Sequence, residues 1–214
     1  MGLVLGTNCG FVTTAPVDDP AGTSNVVMDT TSRALKVIAP IGSIKITEIG
    51  WWCDTASQES NFEVGLYDHN STDNEPENRL QVSNTNAKGT NAGWKRVTGL
   101  NWAITAETIY WIAVQLDNTI TASYINVLTD ASQLESVLSS QTALPHPWGS
   151  GTETGRLISI YAVYEATPPA GTNTKINIGD TWKDISAIKV NIGDAWKEVS
   201  SAKINIGDTW KTIF

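Results

Sequence analysis

The chain has 214 residues, 41% of them hydrophobic, with a formal net charge of −8. That suits one large domain, or a mid-sized domain with a small appendage, able to bury a core. Residues 1–166 hold 8 Lys and Arg against 17 Asp and Glu, whereas residues 167–214 hold 6 against 5, and an acidic body argues against nucleic acid or an anionic membrane as partner. Ile, Val, Thr and Trp are abundant and long Leu, Ala, Glu and Lys runs are missing, which points to an all-β chain.

In chain order, Met1-Gly-Leu-Val-Leu-Gly6 has no basic leader and too short an apolar run for a signal peptide. The expectation is synthesis in a cytoplasm without an export signal. Nothing approaches the ~20 apolar residues of a membrane-spanning helix, so no membrane insertion is expected. Residues 1–30, rich in Gly, Thr, Asn, Pro and Asp, read as an N-terminal arm with room for one short strand. Arg33-Ala-Leu-Lys-Val-Ile38 is a strand candidate, and Pro40-Ile-Gly42 a turn. Ser43 to Ile49 alternates with period two. Ile49, Trp51 and Cys53 then take the other parity, which predicts a β-bulge at Gly50.

Asn61 to Tyr67 alternates, with Phe62, Val64 and Leu66 inward, and a long polar loop is expected from Asp68 to Asn78. Strands are expected at Arg79–Ser83, at Trp94–Thr98 running on to Trp102, at Thr108–Leu116, at Tyr124–Leu128 and at Arg156–Tyr164. Thr108–Leu116 is apolar on both parities, as a central sandwich strand would be. Between Asp130 and Thr142 the leucines of Ser132-Gln-Leu-Glu-Ser-Val-Leu138 are spaced for one or two helical turns. Roughly eight short strands with closely spaced turn signals predict an antiparallel β-sandwich over 31–166. Thr167-Pro-Pro-Ala-Gly-Thr-Asn-Thr174 is a linker stiffened by two prolines.

Residues 175–214 state one 14-residue unit three times: Lys175 to Lys183 returns as Lys189 to Lys197 and as Lys203 to Lys211. With Gly179-Asp180 as a two-residue turn, Ile178 faces Thr181, Asn177 faces Trp182 and Lys175 faces Asp184. Ile176, Ile178 and Ile185 then share one face, and Trp182 takes the other. The second copy keeps Val190, Ile192 and Val199 opposite Trp196, with Lys189 facing Glu198. The third keeps Ile204, Ile206 and Ile213 opposite Trp210, with Thr212 in place of the acid. Such hairpins are too small to be stable alone. Either they fold back onto the sandwich or they associate with the same repeats in other chains, making a homo-oligomer such as a trimer. A sugar-stacking ladder of Trp182, Trp196 and Trp210 is the other reading.

Little here suggests catalysis. His69 and His146 are the only histidines, neither in metal-ligand spacing, and there is no Gly-x-Ser-x-Gly and no phosphate-binding loop. An enzyme is not expected. Cys9 and Cys53 read either as free thiols or as one bridge in an oxidising compartment. Asp68, Asp73 and Glu75 are hard oxygen ligands in one loop, which reads as a solvated loop, with a calcium site as the alternative. His146 and Trp148 stand on a proline-stiffened loop. Trp148 would suit stacking on a sugar ring, or lidding the end of the sandwich.

Ala92-Gly-Trp-Lys-Arg-Val97 and Ile104 to Val114, with its Tyr110-Trp-Ile-Ala-Val, resemble the signature of a jelly-roll module found in secreted bacterial proteins and in phage tail and fibre proteins. Phe62-Glu-Val-Gly-Leu-Tyr-Asp68 resembles another of its strands. The resemblance covers about residues 30–166 and departs from the pattern at Glu107-Thr-Ile109, where a small-residue pair is usual. The closing repeats resemble short "vnvGgtWK" repeats near the ends of phage and prophage structural proteins. Together they imply a virion component, a head or tail fibre or a decoration protein, that meets other virion proteins and displays an adhesion module for a surface glycan. A secreted carbohydrate-binding module and a glycan-degrading enzyme are the alternatives.

Overall fold

The computed structural model describes residues 2–54, 58–117 and 122–167, and the backbone of six strands between 175 and 212. All regular structure among the described residues is β. The chain divides into two units, Met1–Ala166 and Thr167–Phe214.

The first unit contains β1 (Gly10–Val12), β2 (Ser24–Val27), β3 (Thr31–Ile38), β4 (Ser43–Cys53), β5 (Asn61–Asn70), β6 (Glu75–Val82) and β7 (Asn86–Ala87). There follow β8 (Gly93–Ala103), β9 (Ile109–Leu116), β10 (Tyr124–Thr129), β11 (Glu135–Ser139), β12 (Thr152–Thr154), β13 (Arg156–Ile158) and β14 (Ile160–Ala166). One sheet runs β1-β14-β4-β10-β13, with β8 also on β4 and β2 on β10; the other runs β12-β11-β3-β9-β5-β6, with β7 on β5. The ladders are antiparallel except that β1 lies parallel to β14. The chain repeatedly crosses between the two sheets of this β-sandwich, as in β3 to β4 to β5 and β8 to β9 to β10 to β11.

Alternation explains the core. Phe62, Val64 and Leu66 of β5 point inward with Ile112, Val114 and Leu116 of β9, and meet Ile49, Trp51 and Ile160 of the other sheet. Trp51 touches Phe62 edge-on at 5.8 Å. Side chains of this size contribute ~1.5–3 kcal/mol each when fully buried. β9 lies between β3 and β5, and its opposite parity is covered too: Trp111 and Ala113 enter a second apolar cluster with Tyr67, Leu144 and Trp148. That second cluster is why β9 carries apolar residues on both of its faces.

Four expectations are corrected. The bulge lies at Thr47, not Gly50: Val163 pairs with Glu48 and the next residue, Tyr164, with Ile46. Gly50 is instead an accommodation, since a Cβ there would stand 2.5 Å from the Tyr161 ring. The arm holds two strands rather than one, and Phe11 and Val12 of β1 are buried. Asp68–Asn78 is no long loop; β5 runs to Asn70 and β6 starts at Glu75. Finally, no helical turn forms around Leu134 and Leu138, because Glu135–Ser139 is strand β11, paired with β3 and β12. Residues four apart share one face of a strand as well as of a helix, and both leucines pack on the second cluster. The strand expected at Arg156–Tyr164 is observed as β13 and β14, which join different neighbours, β10 and β4.

Cys9 and Cys53 are free and buried. Burial pushes the Cys9 thiol up to about 12.

The second unit has three separate two-stranded sheets: β15 (Lys175–Ile178) with β16 (Thr181–Asp184), β17 (Lys189–Ile192) with β18 (Ala195–Glu198), and β19 (Lys203–Ile206) with β20 (Thr209–Thr212). Lys175 lies opposite Asp184, Asn177 opposite Trp182 and Ile178 opposite Thr181. The other two hairpins repeat that register, which is the one read from the sequence. The Gly179-Asp180 turn, the linker from Pro168 to Thr174, and Ile185, Val199 and Ile213 lie outside the described residues.

Candidate functional site

The loop carrying His146 and Trp148 is a strap across the outer face of the second sheet. Trp148 is 2% exposed and meets Tyr67 edge-on at 4.9 Å. Its indole Nε1 donates to Ser136 Oγ at 2.9 Å, and its backbone N–H to the Glu77 carbonyl at 2.8 Å. Tyr67 Oη donates to the Pro145 carbonyl at 2.6 Å, and Glu63 accepts from the Leu144 N–H at 3.0 Å. Beneath the strap Gly65 leaves room for Leu144, whose Cδ1 would lie 2.7 Å from any Cβ. Stacking on a sugar needs a ring face in water, and Trp148 presents none; it lids the sandwich. His146 is exposed, but its Nδ1 accepts from the Arg79 N–H at 3.2 Å.

The residues expected to hold calcium are not brought together. Asp68 accepts from the Asn78 backbone and side-chain nitrogens at 2.6 and 3.0 Å. Asp73 accepts from Asn70 Nδ2 at 3.0 Å, and Glu75 from the Gly151 N–H at 3.2 Å. Each carboxylate closes a turn or ties down the strap. Among the described residues no three His, Cys, Asp or Glu side chains are grouped to hold a metal, so the donor set does not fit calcium.

The same turn contributes to something the sequence did not suggest. Asn74, with φ 61°, reaches a cleft of about 750 Å³ between the arm, β3 and the 131–134 loop. Leu5, Phe11, Ile38 and Ile109 line its apolar part, and Lys36 its charged part. Lys36 Nζ donates to Asn74 Oδ1. His69, whose Nδ1 accepts from Trp111 Nε1 at 3.2 Å, has its pKa lowered by desolvation and then by the Lys36 charge. In the sequence Lys36 is an ordinary polar position of an alternating strand. Nothing in its spacing could have linked it to Leu5 or Asn74.

A different aromatic group stands on the outer face of the first sheet. Trp94 meets Tyr161 edge-on at 4.9 Å and Trp52 at 5.5 Å. Both tryptophans are half-buried, whereas Tyr161 is wholly buried and donates to Glu48 Oε1 at 2.5 Å. Trp94 Nε1 donates to the Asp18 carbonyl of the arm at 3.0 Å.

In the second unit the register places Lys175, Asn177, Trp182 and Asp184 on one face of the first hairpin and Ile176, Ile178, Thr181 and Lys183 on the other. Trp196 and Trp210 take the face of Trp182 in their own hairpins. Val190 and Ile192, and Ile204 and Ile206, take the face of the isoleucines. Set against protein-family models, curated proteins and solved structures, the chain matches none.

Proposed function

We propose that this chain is a structural and assembly protein of the phage-virion type, a fibre or decoration component. In this reading the β-sandwich is displayed and the C-terminal repeats attach it to other copies and to other virion proteins. The observation that carries the reading is the triplicate hairpin. Each copy is a two-stranded sheet of eight strand residues in the same register, separate from every other sheet. An isolated two-stranded hairpin is marginal in water, and a repeated apolar face is stabilised by stacking on further copies. The resemblance of these repeats to those closing phage structural proteins supports the context.

Adhesion belongs with the half-exposed Trp52–Trp94 pair rather than with Trp148. Both rings are only half-buried, so part of each stays in water where Trp148 has none, and aromatic surface left in water is suited to a glycan. A secreted carbohydrate-binding module would use the same pair.

Mass in solution decides the assembly claim. The full chain should be a multimer at micromolar concentration, and deleting residues 168–214 should leave a folded monomer. A full chain that is itself monomeric, unchanged by the deletion, sinks the reading. A glycan array with Trp94→Ala as the control tests adhesion separately; any binding that survives the substitution excludes that face.

A further inference from the structure

We propose that the cleft beside Lys36 is a binding site for an anionic amphiphile, an apolar chain or ring system bearing one carboxylate. About 750 Å³ falls within the range that accepts a small molecule, and most of the wall is aliphatic or aromatic. At the rim, Ile38 is 64% exposed and Leu5 44% exposed, so a ligand's apolar body would remove from water surface that the described residues leave uncovered.

The polar end selects the sign. Lys36 is the one charged side chain in the lining, and among the described residues it belongs to no ion pair. Its hydrogen-bond partner, Asn74 Oδ1, is neutral. Asn74 takes a left-handed backbone at the end of its turn, and its amide is held by Lys36. With Oδ1 occupied by Lys36, the amide nitrogen of Asn74 remains a donor, and a carboxylate is the acceptor that an ammonium and an amide N–H₂ jointly fit. The carboxylate nearest along the chain to the 131–134 loop, Asp130, turns back on itself. Its Oδ1 accepts from Ser132 N at 2.9 Å and Ser132 Oγ at 2.7 Å. One cation in an apolar wall is too little for a free inorganic anion, which would be recognised by several charges or by converging backbone N–H groups. The ligand therefore needs both parts, head and body.

Calorimetric titration of the full chain with dodecanoate, dodecanol and butanoate tests this. Dodecanoate should bind saturably, one per chain. Dodecanol and butanoate, lacking the head or most of the body, should each bind at least about tenfold more weakly. Lys36→Met keeps the aliphatic stem and should weaken dodecanoate about tenfold or more, bringing it level with dodecanol. Asn74→Gly keeps the turn and should weaken dodecanoate several-fold. Ile38→Asp, at a position 64% exposed, should remove both long-chain ligands. The proposal is overturned if dodecanoate does not saturate, if it binds no better than dodecanol, or if both Lys36→Met and Asn74→Gly leave its affinity unchanged.

Discussion

The two units use the same alphabet of Ile, Trp, Lys and Asp but are held together differently. In the sandwich the contacts join distant stretches of chain: β1 lies on β14, and Arg33 of β3 reaches Glu135 of β11. In the repeats every ladder closes inside its own copy, Lys175 opposite Asp184. The sandwich draws stability from two apolar clusters, one between the sheets and one under the strap. A hairpin has only cross-strand pairs, each contributing ~0.2–1 kcal/mol, and depends on whatever covers its faces. Removing one long-range contact should therefore cost the sandwich far more than removing one cross-strand pair costs a hairpin.

The largest expected effect is at Glu135. Its side chain is fully buried, its Oε1 is 2.6 Å from Arg33 NH1, and its Oε2 accepts from Thr154 Oγ1 at 2.6 Å. Arg33 also donates through Nε and NH2 to the Val27 carbonyl at 3.2 and 3.0 Å. One ion pair thus ties β3, β11 and β12 to the end of β2. Glu135→Ala would leave the guanidinium buried, with no carboxylate in its place. The sandwich should lose ~3–5 kcal/mol, read from urea denaturation of the full chain. A loss under ~1 kcal/mol would mean that water takes the place of the carboxylate beside Arg33.

The next effect is alkaline. The Cys9 thiol is held neutral by burial, up to about 12 against an ordinary 9.0. Above 9.0 the unfolded chain ionises and the folded chain does not. The unfolded state then binds fewer protons, so stability falls as pH rises from 9.0 towards about 12. One unit above its ordinary value, Cys9 alone should cost about 1 kcal/mol. Cys53 is raised from the same ordinary value, chiefly by burial, and shares this range, while Tyr67 and Tyr161 are raised in the same sense and join at higher pH. Cys9→Ala should flatten the first part of this limb in denaturation curves collected across that range. An unchanged limb would show that Cys9 is not the group responsible.

How much of this could be read beforehand follows from whether the deciding contact is local. The inward parity of Phe62, Val64 and Leu66 and the hairpin register of Lys175 to Asp184 depend only on alternation and turn length, and both are legible. Trp148 is different. Its role as a lid depends on Tyr67, Ser136 and Glu77, which no spacing connects to it. β11 looked helical because Leu134 and Leu138 satisfy either period, and the deciding partner, Arg33, lies 102 residues away. The parity change in β4 was visible, but its position was not. Gly50 drew the bulge because glycine often marks one, whereas its function is to make room for Tyr161. The Lys36 cleft joins five stretches of chain and leaves no trace in any one of them.

The smallest effect probes the repeats and tests the comparison most directly. Asp184→Lys puts like charges opposite each other in the first hairpin, where the register faces residue 184 with Lys175. The expected loss is ~0.2–1 kcal/mol, confined to β15 and β16. The third copy supplies the reciprocal experiment, because Lys203 there faces Thr212. Thr212→Asp should restore the pair that the other two copies have and stabilise β19 and β20 by a similar amount. Amide hydrogen exchange reads each hairpin separately: protection should fall in the first with Asp184→Lys and rise in the third with Thr212→Asp, while the amides of β9 stay unchanged. If the Asp184→Lys change loosened all three hairpins together, the copies would be one cooperative stack rather than three local ladders, and the assembly would be sensitive to every charge along it.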